Sequence, residues 1–413
     1  MSVLVRALAL LAFVVLLVGG TVVTIGVRRV RRVYDLPYPA VTRAIDPGEI
    51  ARGGRLFRTS CLGCHSGPDG ERPIGARVPD APSFLGEIWA PNLTSDMTAG
   101  IGAWTDADIA RLLRNGIGRD GRYAATMPRF ARLADVDIAA IVGFLRSSDP
   151  MVAPYATPIP RSDLTLAGTL VLAYAAGVDT KGEQQVLAPH RAATADYGRY
   201  LASAVYACVE CHTDGYAQAP EKLRSPVLLG GGLGLRTPRG EPIYSANLTR
   251  EPETGLPNLD EGTFTKILTT GIGHDGLPLR PPMPVFRFLD APDDTEHVEA
   301  RALFAFTRSV APVNRHTPQG PPREALRADS PPERLFATLG CATCHGDGAP
   351  RHGDLKTAAA KPIETIVDNI RNPEKFRART PMPTYAAAVD DFTARKLATW
   401  IQTTAGKSSN AAR

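Results

Sequence analysis

All six cysteines of this 413-residue chain lie in three copies of one five-residue pattern, Cys-x-x-Cys-His. The copies are Cys61-Leu62-Gly63-Cys64-His65, Cys208-Val209-Glu210-Cys211-His212 and Cys341-Ala342-Thr343-Cys344-His345. Two thiols three positions apart lie on one face of a helical turn, where each can form a thioether with a vinyl group of haem. The adjacent histidine can then bind the iron as its proximal ligand. We call the copies the first, second and third box, and each has the pattern of covalent c-type haem attachment.

Three other uses of paired cysteines fit the boxes less well. A structural zinc site combines one Cys-x-x-Cys pair with a second Cys or His pair at a fixed distance, and no second pair accompanies any box. A thioredoxin-like motif follows a strand in a βαβ context, whereas each box follows a helical pattern. Six cysteines in three identical local boxes are poorly spaced for a disulfide framework. The sequence therefore predicts three covalently bound haem c groups.

Methionines supply the candidates for the sixth iron ligand. Apart from Met1, Met97 and Met151, each methionine stands in a Met-Pro pair downstream of its own box: Met127-Pro128, Met283-Pro284 and Met382-Pro383. A thioether pairs with histidine in electron-carrying haems and raises the potential, while the proline stiffens the loop that presents it. The competing uses are a methionine that only fills a gap in the core and a distal histidine. Of the remaining histidines only His274 lies near a Met-Pro pair, and we expect all five on the surface: His190, His274, His297, His316 and His352.

Residues 7–27 are uncharged and number 21, enough at about 1.5 Å per residue to cross a hydrocarbon layer of roughly 30 Å. A cleaved signal peptide would have a shorter apolar core and an A-x-A-like site, and no such site precedes Arg28. The sequence therefore predicts an uncleaved, single-pass anchor in the bacterial cytoplasmic membrane. Arginines follow it on the side of the haem domains, opposite to the positive-inside tendency, but long domains are translocated largely regardless of flanking charge. Because haem c is attached outside the cytoplasmic membrane, we expect the haem domains to face the periplasm.

The formal net charge of +5 does not indicate a nucleic-acid-binding surface. Five arginines near the N-terminus account for that excess, so the remainder of the chain is close to neutral: Arg6, Arg28, Arg29, Arg31 and Arg32. The propionates of bound haem would make the assembled protein more acidic still. The 38 glycines and 36 prolines suit small domains whose loops surround a large apolar cofactor.

The first two boxes belong to a long internal repeat. Asn92-Leu93-Thr94 recurs as Asn247-Leu248-Thr249, and the turn Gly116-Ile117-Gly118-Arg119-Asp120-Gly121 recurs as Gly271-Ile272-Gly273-His274-Asp275-Gly276. The third box lacks the Asn-Leu-Thr element, and 37 residues separate its histidine from its methionine, against 62 and 71 in the other two. The predicted fold class is mainly α, with three tandem class I cytochrome c domains behind a transmembrane helix. The predicted layout is an anchor at 7–27, domain 1 at 46–150, a linker with an apolar helix at 151–185, domain 2 at 186–312, a Pro-rich linker at 313–329 and domain 3 at 330–405.

Local signals predict where individual helices begin. Asp46-Pro47 reads as an N-cap followed by proline, and Thr105 with Asp108 reads as a capping box. Ser330-Pro331-Pro332-Glu333 reads as a second capping box. The apolar run 164–176 is too short to span a membrane, so we expect an interdomain helix there.

The boxes in this order, the repeat elements, the Met-Pro pairs and the short third domain resemble the triheme cytochrome c subunits of membrane-bound periplasmic dehydrogenases, such as alcohol, aldehyde and gluconate dehydrogenases. The resemblance covers most of residues 46–405. It implies an electron-transfer subunit with no catalytic residue of its own. Electrons would come from a separate catalytic subunit that carries a quinone cofactor, flavin or molybdenum, and would leave to membrane quinone or an oxidase chain. The chain departs from the better-known members in its uncleaved N-terminal helix.

Two other functions are compatible with the same boxes. The first is a free-standing, membrane-anchored multihaem carrier between quinol-oxidising and oxygen-reducing complexes. The second is a haem peroxidase or reductase, which needs at least one iron with an open or labile position for its substrate. Three intact Met-Pro pairs argue against this second function.

Overall fold

The structure is a computed structural model and describes residues 3–67, 72–78, 81–175, 185–215, 219–237, 241–286, 289–290, 294, 296–318, 326–347, 353–376, 380 and 382–407. Parts of both predicted linkers, residues 176–184 and 319–325, lie outside the described residues, as does His352. The described chain is mainly helical, which confirms the predicted class.

Helices make up most of the regular structure, and short strands occur only in pairs within the described residues. The helices are α1 Val3–Val30, α2 Pro47–Ser60, α3 Leu62–His65, α4 Asp106–Asn115, α5 Asp135–Leu145, α6 Leu166–Ala175, α7 Ala195–Tyr200, α8 Cys208–His212, α9 Ala219–Lys222, α10 Glu261–Thr270, α11 Val298–Ser309, α12 Pro332–Thr338, α13 Cys341–His345, α14 Asp354–Ala359, α15 Ile363–Arg371 and α16 Asp391–Lys407. A π-helical turn, Leu201–Val205, follows α7. Short 3-10 turns are Ser83–Leu85, Pro150–Val152, Pro373–Lys375 and Tyr385–Ala387.

The strands form three antiparallel pairs. Strands β1 Ala76–Arg77 and β3 Trp89–Ala90 pair, as do β2 Gly86–Glu87 with β4 Asp163–Leu164, and β5 Gly234–Arg236 with β6 Pro242–Tyr244. Each strand has only two or three residues, so the pairs tie loops together and do not build a sheet core.

The chain divides into two compact units. The first comprises residues 1–54, 64–68 and 72–187, and the second comprises 55–63, 69–71 and 188–413. The second and third boxes therefore lie in one unit. We refer below to residues 46–150, 186–312 and 330–405 as the first-box, second-box and third-box segments.

Helix α1 is exposed along most of its length and is strongly apolar. Its segment Leu4–Val30 has a mean hydropathy of 2.7 and is long enough to cross a membrane, which among the described helices is true of α1 alone. A signal sequence near an N-terminus would have the same properties. Helix α1 is thus the predicted apolar segment, extended by a few residues at each end.

A glycine lets two helices cross at close range in each of the first two segments. In the first-box segment, a Cβ at Gly53 of α2 would lie 1.9 Å from the carbonyl oxygen of Ala140 in α5. In the second-box segment, a Cβ at Gly198 of α7 would lie 1.8 Å from the carbonyl oxygen of Ala302 in α11. Any side chain would overlap the opposing backbone, so both crossings require glycine. The helix that leads to each box is thereby fixed against the closing helix of its segment.

The third-box segment has its own apolar core. It joins α12, α15 and α16 with the turn at Tyr385, and its most buried members are Leu335, Leu339, Leu397, Ala394 and Ala398. Ile272 of the second-box segment is 4% exposed and belongs to the same core. Two segments of the second unit therefore share buried apolar surface.

Two of the three predicted helix starts are confirmed. Asp46 Oδ1 accepts hydrogen bonds from the backbone N–H groups of Gly48 (2.9 Å) and Glu49 (3.1 Å). Thr105 and Asp108 form the full capping box at α4. The capping box at Ser330 is wrong, because the N-cap position of α12 is Pro331 and no side chain caps the helix there. The first turn of α12 contains a proline.

Candidate functional site

Each box lies on one short helical turn. In the first box, the backbone N–H of Cys61 donates to Phe57 O (2.9 Å) at the end of α2, and α3 follows directly. The second and third boxes coincide with α8 and α13, each preceded by a residue in the left-handed region: Ala207 with φ 55° and Gly340 with φ 73°. A helical turn places residues i and i+3 on one face, so the two thiols of the second and third boxes, which lie within α8 and α13, face the same way.

The six thiols, all in described residues, form no disulfide. Cys64 and Cys211 are exposed, and Cys208, Cys341 and Cys344 are partly exposed, whereas Cys61 is buried. Burial raises the pKa of the free thiols of Cys208 and Cys341 to about 12, so these thiols are neutral before attachment. The second cysteine of each box is at least partly exposed.

Two box histidines are held in one orientation by a backbone carbonyl. His65 Nδ1 donates to Pro91 O (2.7 Å), and His212 Nδ1 donates to Ala246 O (2.8 Å). A carbonyl can only accept, so Nδ1 carries the proton and the lone pair of Nε2 is left for a metal. Burial lowers the pKa of both imidazoles, which keeps them neutral, although the bond to the carbonyl acts in the opposite direction. His345 ends the third box at α13 and is partly exposed.

The repeated Asn-Leu-Thr element lies directly after these two carbonyls. Asn92 Oδ1 accepts from the Thr94 N–H (2.8 Å), and Asn92 Nδ2 donates to Tyr155 O (2.8 Å). Asn247 repeats the first bond with Thr249 (3.0 Å) and donates through Nδ2 to Val313 O (2.8 Å).

Both asparagines are buried, at 2% and 3% exposure. Each asparagine holds its loop in place, and the carbonyl of the residue just before that asparagine orients the box histidine. The sequence showed the repeat, but not that it orients the histidine.

Lys222 is another residue that the sequence did not identify. Its side chain is 3% exposed, and Nζ donates to the carbonyl oxygens of Glu210 and, at 2.9 Å, Thr213. These carbonyls lie in and just after α8, where a cation is favourable at a helix C-terminus. Lys222 therefore holds the C-terminal end of α8, where the histidine of the second box lies.

The first two Met-Pro loops share the same backbone bonds. The Met127 N–H donates to Ala124 O (2.9 Å) and the Met283 N–H to Arg280 O (3.1 Å). Three residues later, Phe130 N–H donates to Leu113 O and Phe286 N–H to Leu268 O, both at 2.9 Å. Each methionine therefore follows a glycine-rich turn and is tied back to the helix before that turn, α4 or α10.

The third methionine loop is held differently. The Met382 N–H donates to Thr380 Oγ1 (3.1 Å), and the Thr384 N–H donates to Thr270 O of the second-box segment (2.9 Å). Met382 and Cys341 both pack against the apolar core of the third-box segment.

The residues present fit a covalently attached haem better than a zinc ion. Within the described residues, no group of three or more His, Cys, Asp or Glu side chains could hold one metal ion, and a structural zinc site needs four ligands. The oriented imidazoles with Nε2 available, and the thiols on one helical face, match the attachment chemistry of haem c. Arg132 Nε, five residues after Met127, is buried without a hydrogen-bond partner among the described residues, as a donor to a propionate would be.

Comparison with known proteins agrees with this chemistry. The family described as "Cytochrome C oxidase, cbb3-type, subunit III" matches residues 48–145 and 327–401, which contain the first and third boxes. The matched residues carry a cytochrome c domain, which binds haem c covalently.

Three curated relatives come from bacteria. A subunit of the nicotinate dehydrogenase of Pseudomonas putida is 26% identical over 70% of this chain and 23% of its own length. The fructose dehydrogenase cytochrome subunit of Gluconobacter japonicus is 28% identical over 54% of this chain and 45% of its own. The cytochrome c subunit of the quinone-type alcohol dehydrogenase of Gluconobacter oxydans is 30% identical over 56% of this chain and 49% of its own. The chain thus spans at most about half the length of these relatives.

Proposed function

Because residues 48–145 and 327–401 match a cytochrome c family and the chain is similar to the cytochrome c subunits of fructose and alcohol dehydrogenases, we propose that it is a c-type cytochrome and the electron-accepting subunit of a periplasmic dehydrogenase complex. The observation that carries the proposal is the paired histidine geometry. Two box imidazoles, in separate parts of the chain, are oriented by the same kind of carbonyl bond with Nε2 left available.

Each box would hold one haem c, and the haem would supply one-electron transfer at its iron. The thioether residues are Cys61 and Cys64, Cys208 and Cys211, and Cys341 and Cys344. The residues that would hold the three irons are His65 with Met127, His212 with Met283, and His345 with Met382. With a histidine and a methionine from the chain provided for each iron, the haems would leave no position for a substrate, and a partner protein would carry out substrate oxidation.

Contacts inside the second unit support direct transfer between the second and third haems. The Thr384 N–H, two residues after Met382, donates to Thr270 O at the end of α10. A Cβ at Gly340, the residue before Cys341, would lie 3.8 Å from Pro278. One stretch of the second-box segment thus touches both the methionine loop and the attachment box of the third.

Helix α1 supports anchoring of the complex to the cytoplasmic membrane. Its apolar length is sufficient to span, and arginines follow its C-terminal end, where they can lie among anionic headgroups. The boxes follow α1 in the chain and would lie in the periplasm, where electrons leave to membrane quinone or an oxidase.

The complete protein, purified in mild detergent from its native membrane, tests this function. Mass spectrometry of the denatured chain should show three added haem masses. A smaller number would mean that one or more of the boxes attach no haem. A dehydrogenase subunit should copurify, and its substrate should reduce the haems within the turnover time of the complex. A chain that comes away alone and is reduced by a quinol-oxidising complex would instead be the free-standing carrier. Substrate oxidation or peroxide reduction by the isolated chain would contradict the electron-conduit function.

Substitution of the three methionines tests the ligands. Changing Met127, Met283 or Met382 to Leu should each abolish the sulfur-to-iron charge-transfer band of one haem and lower its potential, because a soft thioether stabilises the reduced iron. Met97→Leu is the matched control, since Met97 is 67% exposed and outside any Met-Pro pair. An unchanged spectrum in one of the three variants would exclude that methionine as a ligand.

A further inference from the structure

Helix α6 has several large apolar side chains exposed on its surface. Its ten residues, LAGTLVLAYA, include no charged side chain. Leu166, Val171 and Tyr174 are 56%, 44% and 47% exposed. Phe84, whose carbonyl oxygen accepts from Thr165 Oγ1 just before the helix, is 52% exposed. The start of α6 thus has an apolar patch on the surface of the first unit.

The start of α6 is fixed to the first unit by its backbone. The Thr165 N–H donates to Leu85 O (3.1 Å), and strand β4 before it pairs with β2. The Gly168 N–H donates to Thr165 Oγ1 (2.9 Å), which caps the helix. A Cβ at Gly168 would lie 2.3 Å from Leu85 O, so the helix lies directly against the 3-10 turn Ser83–Leu85. The direction in which α6 points is therefore set by its unit.

The other side of α6 packs against α1. A Cβ at Gly26 would lie 2.6 Å from Leu170 Cδ2, so the absence of a side chain at Gly26 makes room for Leu170. Tyr174 Oη donates to Val22 O (2.8 Å), and the Arg29 guanidinium lies 4.9 Å from the centre of the Tyr174 ring. Packing through a small residue is how helices associate in lipid.

The contacts with α1 give the depth of α6. A Cβ at Gly26 would have Leu170, Ala173 and Tyr174 within 4 Å, so the two helices cross near Gly26, and Tyr174 is also bonded to Val22. Val22 lies five residues before Val27, the last residue of the apolar run, which at about 1.5 Å per residue is roughly 7 to 8 Å along α1. Tyrosine is enriched at this level of a bilayer, and a nearby arginine can extend its head group to the interface.

We propose that α6 is a second membrane element, inserted beside α1 into the half of the bilayer on the side of the boxes, with Val171 against lipid acyl chains. The inference rests on the proposed role of α1 as a membrane anchor. Lipid is the occupant of the exposed face because that face is continuous with α1, whose apolar surface is itself unburied. Ten residues cover about 15 Å, half of a hydrocarbon layer of about 30 Å, so α6 enters the bilayer without crossing it. Two contacts with the membrane would hold the first unit in one orientation on its surface.

Photolabelling from within the lipid tests this inference on the full chain. The holoprotein is reconstituted into phosphatidylethanolamine–phosphatidylglycerol vesicles with a diazirine-bearing phospholipid, illuminated, digested and analysed by mass spectrometry. We expect adducts in α1 and in residues 166–174. The matched control is α5, where Val136 is 57% exposed and should stay unlabelled. Label in α1 but not in α6 would overturn this inference and leave the anchor intact, whereas label in neither would overturn both.

A charge on the exposed face sharpens the test. Val171→Asp should lower the yield of adducts in α6 at least several-fold while α1 labelling is unchanged, because a carboxylate avoids hydrocarbon. Val136→Asp on α5 should change neither yield. Unchanged α6 labelling in Val171→Asp would contradict the lipid-facing orientation. Labelling that is present in vesicles but absent in native membranes would place a protein on this face and would also overturn the inference.

Discussion

The turns 116–121 and 271–276 have the same local structure but different neighbours. In both, the first and last glycines have positive φ, at 72° and 74° in the first turn and 72° and 73° in the second. The backbone bonds also recur: Ala124 N–H donates to Gly116 O, and Leu279 N–H donates to Gly271 O, both at 2.8 Å. Each turn thus presents its methionine loop in the same way.

The outer faces of the two turns are covered by different parts of the chain. Tyr34, shortly after α1, donates its N–H to Gly121 O (2.8 Å), and a Cβ at Gly121 would lie 2.8 Å from Val33 Cγ1. A Cβ at the equivalent Gly276 would have no neighbour within 4 Å among the described residues. In the second turn Ile272 is instead buried in the core of the third-box segment. The two turns thus share the backbone structure that presents the methionine. The first turn contacts the segment after α1, whereas the second turn contacts the third-box segment.

The buried polar pair beside each helix crossing also differs between the copies. Asp137 of α5 forms an ion pair with Arg52 (2.7 Å), one residue before the glycine of that crossing. Glu299 is the matching residue of α11 and accepts from Tyr197 Oη (3.3 Å) and from Tyr206 Oη. Both carboxylates are 1% exposed, so each must be satisfied where it lies. Both copies thus have a buried carboxylate at the same position, but an arginine satisfies it in the first and two tyrosines satisfy it in the second.

The largest effect is expected at the isoleucines of the two turns. Ile272→Ala should destabilise the third-box segment by about 2 to 5 kcal/mol, because it leaves a cavity in a packed core. Hydrogen–deuterium exchange should then increase in α12 and α16. Ile117→Ala is the matched control: Ile117 is 0% exposed, and its truncation should increase exchange in α4 but not in α12 or α16. Unchanged protection of α12 and α16 in Ile272→Ala would contradict the shared core.

Local features of the site were predictable from the sequence, and contacts between distant residues were not. The boxes, the capping box at Thr105 and the glycine-ended turns depend on residues a few positions apart, so their patterns identify them. The carbonyls that orient His65 and His212 lie 26 and 34 residues away. Ile272 gives no sign in the sequence that it enters the core of another segment, and its repeat partner Ile117 is also an isoleucine.

Helix α6 is another case in which the sequence indicates the local structure but not the distant contact. Its apolar composition predicted a helix, and the structure has one at Leu166–Ala175. The expected interdomain position depended on its length alone, whereas its observed partner is α1, where the bonded Val22 lies 152 residues before Tyr174. Gly26 and Tyr174 make that pairing possible, but neither residue is distinctive in isolation.

An intermediate effect is expected at the two buried asparagines. Asn92→Ala or Asn247→Ala removes the bonds that fix one histidine loop and should cost about 1 to 3 kcal/mol. A weaker carbonyl bond at Nδ1 makes the imidazole a poorer electron donor, so the potential of that haem should rise while the other two stay constant. Redox titration with optical detection measures this. Asn314→Ala is the control, since Asn314 is exposed and bonds Glu251 (3.1 Å). A shift of all three potentials in one variant would contradict the expectation that each asparagine affects only the haem of its own segment.

The smallest effect is expected where the segment after α1 covers the first turn. Tyr34→Pro removes the N–H that donates to Gly121 O and should cost about 0.5 to 1.5 kcal/mol, the net value of one backbone hydrogen bond. Hydrogen–deuterium exchange should increase in residues 116–123. Residues 271–276 should keep their exchange rates, because the lost bond is made to the first turn. Tyr34→Ala keeps the N–H and removes only the ring, so it should leave exchange in 116–123 near that of the unmodified chain. Equal increases in the two variants would mean that the tyrosine ring, and not the backbone bond, covers the first turn.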